Sequence, residues 1–335
     1  MNNVLEDRCA GMISGAYIAD ALAMPAHWYY DRTALREDYG VIRSYLPPKH
    51  PHPDSILWRS SYTPLNERGD ILREQAQYWG QPGMHYHPFL RPGENTLNLQ
   101  LVRLLDKSLT AKGGYDLDDY LKRYIDFMLT PGRHRDTYAE EYHRHFFTRL
   151  ARGSKPQRCG GTDVHIGGLA SVGLLSARLG KDASAAVQEH VGFSHGDPDV
   201  LDAAKTLTRM LFDLLLGEPL RETILHHGGR WLSERKAATW SKDPDLVVIG
   251  RHVSPACYIR ESFPASLYLA WKYADDFEAA VVANTMVGGD NCHRGAVIGA
   301  LVGAACGHER LPQALRDGLL RHSEKAPEST ESSSA

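Results

Sequence analysis

The chain has 335 residues, 42% of them hydrophobic, and a net charge of −3. That length suits one large domain or two ordinary ones, and the near-neutral balance with no basic run argues against a nucleic-acid surface. Five scattered cysteines (Cys9, Cys159, Cys257, Cys292 and Cys306) form no Cys-x-x-Cys pair. This argues against a zinc ribbon or a disulfide framework and fits reduced thiols in a cytoplasmic protein. The N-terminus carries no charged-then-apolar leader, and the apolar run 295–306 is too short to cross a bilayer, so no membrane association is expected. Seventeen histidines enlarge the pool of ligands and acid–base groups.

In chain order, residues 7–24 read as a helix ended by Pro25, with a small-residue stripe of Gly11, Gly15, Ala19 and Ala23. His27 and Trp28 follow where the chain leaves that helix. From 31 to 92 prolines recur, and His50, His52, His85 and His87 alternate with aromatic residues. This pattern predicts long loops laid over a scaffold, of the kind that shape pockets. The alternate spacing of His85 and His87 could chelate a metal. Gly93-Glu94-Asn95-Thr96 then opens a helix whose apolar positions begin at Leu97, which puts a carboxylate and an amide at a helix N-terminus.

Further helices are predicted over 116–128 and 137–149. A glycine-rich turn from 159 to 168 holds Asp163 and His165 and leads into a helix over 169–179. It fits neither a P-loop nor a dinucleotide fingerprint. Helices over 182–191 and 198–216 meet at a junction holding His195 and Asp197. Helices over 222–236, 264–273, 276–285 and 312–322 complete the pattern. No strand alternation persists. The fold class is all-α: one multi-helix domain over 1–322 with long loops in its N-terminal third, followed by a disordered polar tail over 323–335.

The most informative stretch is 286–306. Gly288 and Gly289 precede Asp290, Asn291, Cys292 and His293, and then glycine recurs at 295, 299, 303 and 307. This reads as a tight turn feeding a buried helix with a bare stripe, onto which a second backbone can pack closely. The stripe over 11–23 is its expected partner, so the two ends of the chain should meet in the core. The polar cluster then lies at a helix N-terminus, where a cysteine such as Cys292 is expected to have a lowered pKa and thiolate character.

These pieces resemble the ADP-ribosylglycohydrolase family, the type that includes the dinitrogenase-reductase-activating glycohydrolases, from about residue 8 to about residue 320. Residues 11–25 are similar to the family's opening Gly-x-x-x-Gly-x-x-x-Gly-Asp-Ala-Leu-Gly-x-Pro helix. The 194–204 stretch resembles its mid-chain Thr-His segment, and 276–290 its approach to the C-terminal metal motif. The resemblance implies an all-α domain and two magnesium ions, held by a Thr-Asp-Asp-Thr turn and an Asp-Thr-Asp-Thr turn. It also implies hydrolysis at the anomeric carbon of an ADP-ribosylated protein or an ADP-ribose-like small molecule.

This chain departs from the family at both turns. The first reads Gly93-Glu94-Asn95-Thr96 and the second Asp290-Asn291-Cys292-His293, while His27 stands where many members carry a glutamate. Of four carboxylates two remain. Magnesium prefers oxygen donors, whereas Glu94, Asn95, Asp290, Cys292 and His293 as a ligand set favour one zinc, manganese or iron ion. On this reading Glu94, Asp290 and His27 are catalytic, and Asn95, Thr96, Asp163, His165 and His195 bind substrate. The expected activity is hydrolysis of a ribosyl N- or O-glycosidic bond. Two alternatives stay open: an inactive nucleotide-binding or crystallin-like structural member, and a metal-free reaction with Cys292 as nucleophile and His27 or His165 as base.

Overall fold

A computed structural model describes residues 2–320. The expected polar tail and the end of the predicted 312–322 helix lie outside them. The described residues form α1 (Asn2–Ala23), α2 (Arg32–Tyr39), α3 (Leu97–Lys112), α4 (Leu117–Leu129), α5 (Glu141–Ala151), α6 (Val172–Leu179), α7 (Ala183–Ser194) and α8 (Pro198–Leu216). They continue with α9 (Leu220–Gly228), α10 (Glu234–Trp240), α11 (Asp245–Val247), α12 (Ile259–Lys272), α13 (Phe277–Met286), α14 (Asn291–Cys306) and α15 (Gln313–Gly318). Among the described residues there is no β-strand, only isolated bridges. The all-α class read from the sequence is what the structure has.

Local chemistry sets several helix ends. The side chains of Asp116, Asp197 and Asp276 accept bonds from the first-turn amides of α4, α8 and α13, which satisfies N–H groups that have no partner within the helix. At the other end, Gly113 and Gly217 close α3 and α8 in the left-handed conformation that only glycine adopts freely.

The core is the α1–α14 pair. A Cβ built on Gly299 would lie 2.1 Å from the Gly15 carbonyl oxygen, and one built on Gly15 would lie 2.1 Å from the Gly299 carbonyl oxygen. Gly11 and Gly303 oppose each other in the same way. The two ends of the chain therefore meet backbone to backbone, as the paired stripes predicted. The other faces of these helices carry Met12, Ile18, Leu22, Ile298 and Leu301, all fully buried. By length and apolar character a span including α1 could cross a membrane, but 78% of it is buried inside the protein, as befits a core helix.

Three expectations change. The helix predicted over 222–236 is broken into α9 and α10, because Gly228 ends the first and the amides of Trp231 and Leu232 both bond the Gly228 carbonyl. The helix predicted over 137–149 starts only at Glu141. Residues 136–140 stay out of it, with Thr137 bonded to the Tyr86 carbonyl. The helix predicted from Pro264 starts earlier, at Ile259, and carries the proline inside. The 31–92 segment is irregular as expected, apart from α2 and short 3₁₀ turns.

Candidate functional site

Two loops create the site. The 27–29 segment leaving α1 is bonded to the glycine turn before α14: the Trp28 amide donates to the Gly289 carbonyl at 2.8 Å, and the Gly289 amide to the Tyr29 carbonyl at 2.6 Å. Glycine is required at both turn positions. Gly288 and Gly289 have φ of 67° and 65°, and a Cβ on either would strike the Tyr29 or Pro255 carbonyl oxygen. Arg294 completes the lock. Its fully buried guanidinium donates to the Asn284 side chain, the Pro255 carbonyl and the Gly288 carbonyl.

This lock brings His27 onto Asp290. His27 Nε2 lies 3.0 Å from Asp290 Oδ1, and His293 Nδ1, one turn into α14, lies 2.7 Å from the same oxygen. The three donor atoms lie within 4.8 Å of one another, and all three residues are buried. Asp290 Oδ2 and His293 Nδ1 have no aligned hydrogen-bond partner, although both are cut off from solvent. Around them the charges are strongly biased. Burial opposes ionisation of Asp290, but His293 and His27 overcome it and hold the carboxyl well below the usual range. Burial would likewise lower His293, but Asp290 and Glu140 push it up to about 10. His27 is lowered to about 3, burial outweighing the pull of Asp290.

Behind His27 runs a second tier. Its Nδ1 is 2.6 Å from His87 Nε2, and His87 Nδ1 is 2.5 Å from Asp136 Oδ1. Asp136 Oδ2 accepts the first amide of α3, from Leu97, at 2.6 Å. The proline- and histidine-rich segment is what delivers His87. His85 bonds the Pro25 carbonyl and accepts the His87 amide, while His52 reaches the His27 carbonyl. On the other side stands Glu140, with Oε1 3.7 Å from His293 Nδ1 and a buried Oε2 without a partner. Burial raises its pKa.

A third group follows from loop pairing. The glycine-rich turn bonds the α7–α8 junction through Gly161 to Phe193, Asp163 to Ser194 and Gly196 to Gly161. His165 thereby lies 2.6 Å from Asp163, and His195 lies 3.8 Å from it, with a buried and unpartnered Nε2. Burial would lower His165, but the Asp163 bond and Cys257 raise it to about 11. A cavity lined by Asn98, Tyr142, Gly167, Gly168, Phe193 and His195 adjoins this group. It does not reach the His27–Asp290–His293 group. Glu140 lies between the two: its Oε1 is 3.7 Å from His293 Nδ1, and its carboxylate, with the Asn98 amide, is what a Cβ on Gly167 would meet.

Several residues singled out from sequence take other roles. The Glu94 carboxylate is held by the Arg91 amide and by the guanidinium groups of Arg91 and Arg135, and it is not part of the histidine group. Asn95 donates to the Tyr17 carbonyl and to Asp20, while its own oxygen accepts from Arg103; Thr96 bonds Asp20. These are the bonds of a packed helix start. Cys292 is in van der Waals company with Ala23, Met24 and Leu90 and bonds the Asp20 carbonyl. Burial pushes its thiol well above the usual value. The thiolate expected from its helix-end position is thus corrected: desolvation outweighs the helix dipole. The two helix starts do converge, but through Asp20 and Asp136, not through Glu94.

The model of the ADP-ribosylglycohydrolase family matches residues 1–331. The chain belongs to the ADP-ribosylglycohydrolase family. A solved structure described as an ADP-ribosylglycohydrolase-related protein complex is similar in fold, with a TM-score of 0.64, 20% identity, and coverage of 95% of this chain and 94% of that one. No curated protein sequence matches. In this chain Glu94 is held in ion pairs, and Asn95 and Thr96 bond Asp20. One carboxylate and two imidazoles, His27, Asp290 and His293, are a donor group that could hold a metal ion.

Proposed function

We propose that this ADP-ribosylglycohydrolase family member hydrolyses a ribosyl N- or O-glycosidic bond, using one zinc, manganese or iron ion held by His27, Asp290 and His293. The observation that carries this reading is the burial together of three metal-competent donors, with Asp290 Oδ2 left without a hydrogen-bond partner. Buried polar atoms are ordinarily paired, so an orphaned carboxylate oxygen within such a cluster marks a place for a ligand. Three protein ligands are also what a catalytic ion keeps when one position must stay open.

The ion would supply Lewis-acid polarisation and a more acidic water. With Oε2 buried and free of a partner, Glu140 would be the residue placed to take up a proton there. Its raised pKa makes it a better base than an exposed carboxylate. His165, kept protonated by Asp163, presents a positive charge to the anionic part of an ADP-ribose-like substrate. His195 Nε2 can bond a ribose hydroxyl, and the aromatic cavity walls suit a planar base. Glu94, Asn95, Thr96 and Cys292 have no part in this scheme.

The test is metal analysis of the purified protein, repeated on Asp290→Ala, with turnover of ADP-ribosylated protein followed after adding each ion. About one ion per chain, lost in Asp290→Ala together with activity, is the expected result. A wild-type protein that binds none of these ions, or whose turnover is indifferent to them, would sink the reading.

A further inference from the structure

The cavity beside the Asp163 group holds a polar atom that the scheme above does not use. Tyr120, Tyr124, Tyr142, Phe146 and Phe193 form its aromatic walls, with Ser171 and His195 among them. The Tyr124 hydroxyl meets His143 Nδ1 at 2.6 Å, and the Tyr142 hydroxyl donates to Asn98 Oδ1 at 3.3 Å. Ser171 and His195 differ from these. The Ser171 hydroxyl and His195 Nε2 are both cut off from solvent, and neither has a hydrogen-bond partner. Ser171 is 5% exposed and His195 2%. An unpaired hydroxyl in so dry a wall is costly unless a ligand takes it up.

The lining also decides the charge of that ligand. Among the described residues, no lysine, arginine, aspartate or glutamate lines the cavity. Burial lowers both wall histidines, His190 and His195, to about 4, so neither is charged at neutral pH. A phosphate would find no cation there, and the N–H donors of a guanidinium would find no carboxylate. Aromatic faces with one hydroxyl and one imidazole nitrogen suit an uncharged heteroaromatic ring with polar atoms at its edge. The cavity is also close to the proposed ion site. A Cβ on Gly167, in the cavity wall, would lie 3.3 Å from Glu140 Oε2, and Glu140 Oε1 is 3.7 Å from His293 Nδ1. One carboxylate thus spans the interval. A ring joined directly to the reacting ribose fits it, whereas a ring set off by a diphosphate and a second ribose would overshoot it.

We infer that the protein has a further activity, hydrolysis of the N-glycosidic bond of a riboside whose leaving group is an uncharged heteroaromatic base, with that base held in this cavity and hydrogen-bonded by Ser171. The inference rests on the proposed hydrolase reading and adds a substrate class to it. Water alone balances the reaction. The C1′–N bond breaks with its electron pair on the base nitrogen, the water oxygen bonds C1′, and the proton that the water gives up ends on the base. Glu140 stands between the cavity and the ion group and can carry that proton across. His195 Nε2 remains for a ribose hydroxyl.

The experiment uses the full chain supplied with zinc or manganese and two substrates. Inosine 5′-monophosphate carries an uncharged base, and ADP-ribosyl-arginine has a leaving group that is not a base. Free hypoxanthine and free ADP-ribose are followed by chromatography. Hypoxanthine should be released from the monophosphate, and added hypoxanthine should inhibit that release. The charged rings benzoate and benzamidine should inhibit at least about 10-fold more weakly. Ser171→Ala should raise KM for the monophosphate about 3- to 10-fold, with the melting temperature of the wild type. If that variant does not fold, the inhibition pattern of the wild type decides. Turnover of ADP-ribosyl-arginine with no hypoxanthine released from the monophosphate would overturn the inference and leave the hydrolase reading standing. So would hypoxanthine release with KM unchanged in Ser171→Ala, or with benzoate or benzamidine inhibiting as well as hypoxanthine. Turnover of neither substrate would remove the hydrolase reading, and the inference with it.

Discussion

Replacing Gly299 by alanine probes the packing that holds the site together. A Cβ there would lie 2.1 Å from the Gly15 carbonyl oxygen, against a floor of 3.0 Å for real Cβ contacts, a shortfall of 3.0 − 2.1 = 0.9 Å. The obstacle is backbone, so no side chain can swing away. The helices must separate, and a gap of that order forfeits about a quarter to a half of each dispersion contact along the seam. We expect a loss near the top of the overpacking range, about 3 kcal/mol. With a urea slope of about 3 kcal/mol/M for a chain of this size, the unfolding midpoint should fall by about 1 M. Gly295→Ala, whose Cβ would lie 3.1 Å from the Ala19 carbonyl oxygen, should lose clearly less. Gly114→Ala meets nothing within 4 Å and should stay within about 0.5 kcal/mol of wild type. Equal midpoints for Gly299→Ala and Gly114→Ala would refute the close backbone seam.

Two further predictions concern the site. Glu140→Gln should lower kcat about 10²- to 10⁴-fold while metal content stays at the wild-type level, as for loss of a general base; a kcat within threefold of wild type would exclude that role. For the Asp163–His165 pair the sign is set by the upward shift of His165, from 6.5 to about 11. A proton held more tightly in the folded state stabilises it fully below pH 6.5, and that contribution fades as pH rises toward 11. Urea midpoints of the wild type should therefore decline between pH 7 and pH 10.5, and His165→Gln should show a shallower decline. Parallel curves would show that the pair does not couple to folding.

Much of the architecture could be read from local chemistry. The caps at Asp116, Asp197 and Asp276 act within four residues of themselves, and a glycine stripe is a property of one helix, so helix positions and the α1–α14 pairing were both legible. Asp290, His293 and His27 were legible as candidates because two of them share one turn and the third follows the partner helix. The paired histidines His85 and His87 showed as a spacing, without indicating that only His87 would face the site. Glu140 and Asp136 carried no motif; they matter because a stretch outside any helix passes beside α14 and α3.

Cys292 and Glu94 show the converse. Position at a helix start favours a thiolate or a free carboxylate, but which way the side chain turns decides its solvation and partners. Cys292 turns into an apolar pocket, and Glu94 turns toward Arg91 and Arg135. The sequence by itself determined where helices begin, end and can touch, because those depend on backbone groups only a few residues apart. Only the tertiary structure decided which polar atoms lie buried without partners, because burial and hydrogen-bond direction depend on segments that are remote in the chain.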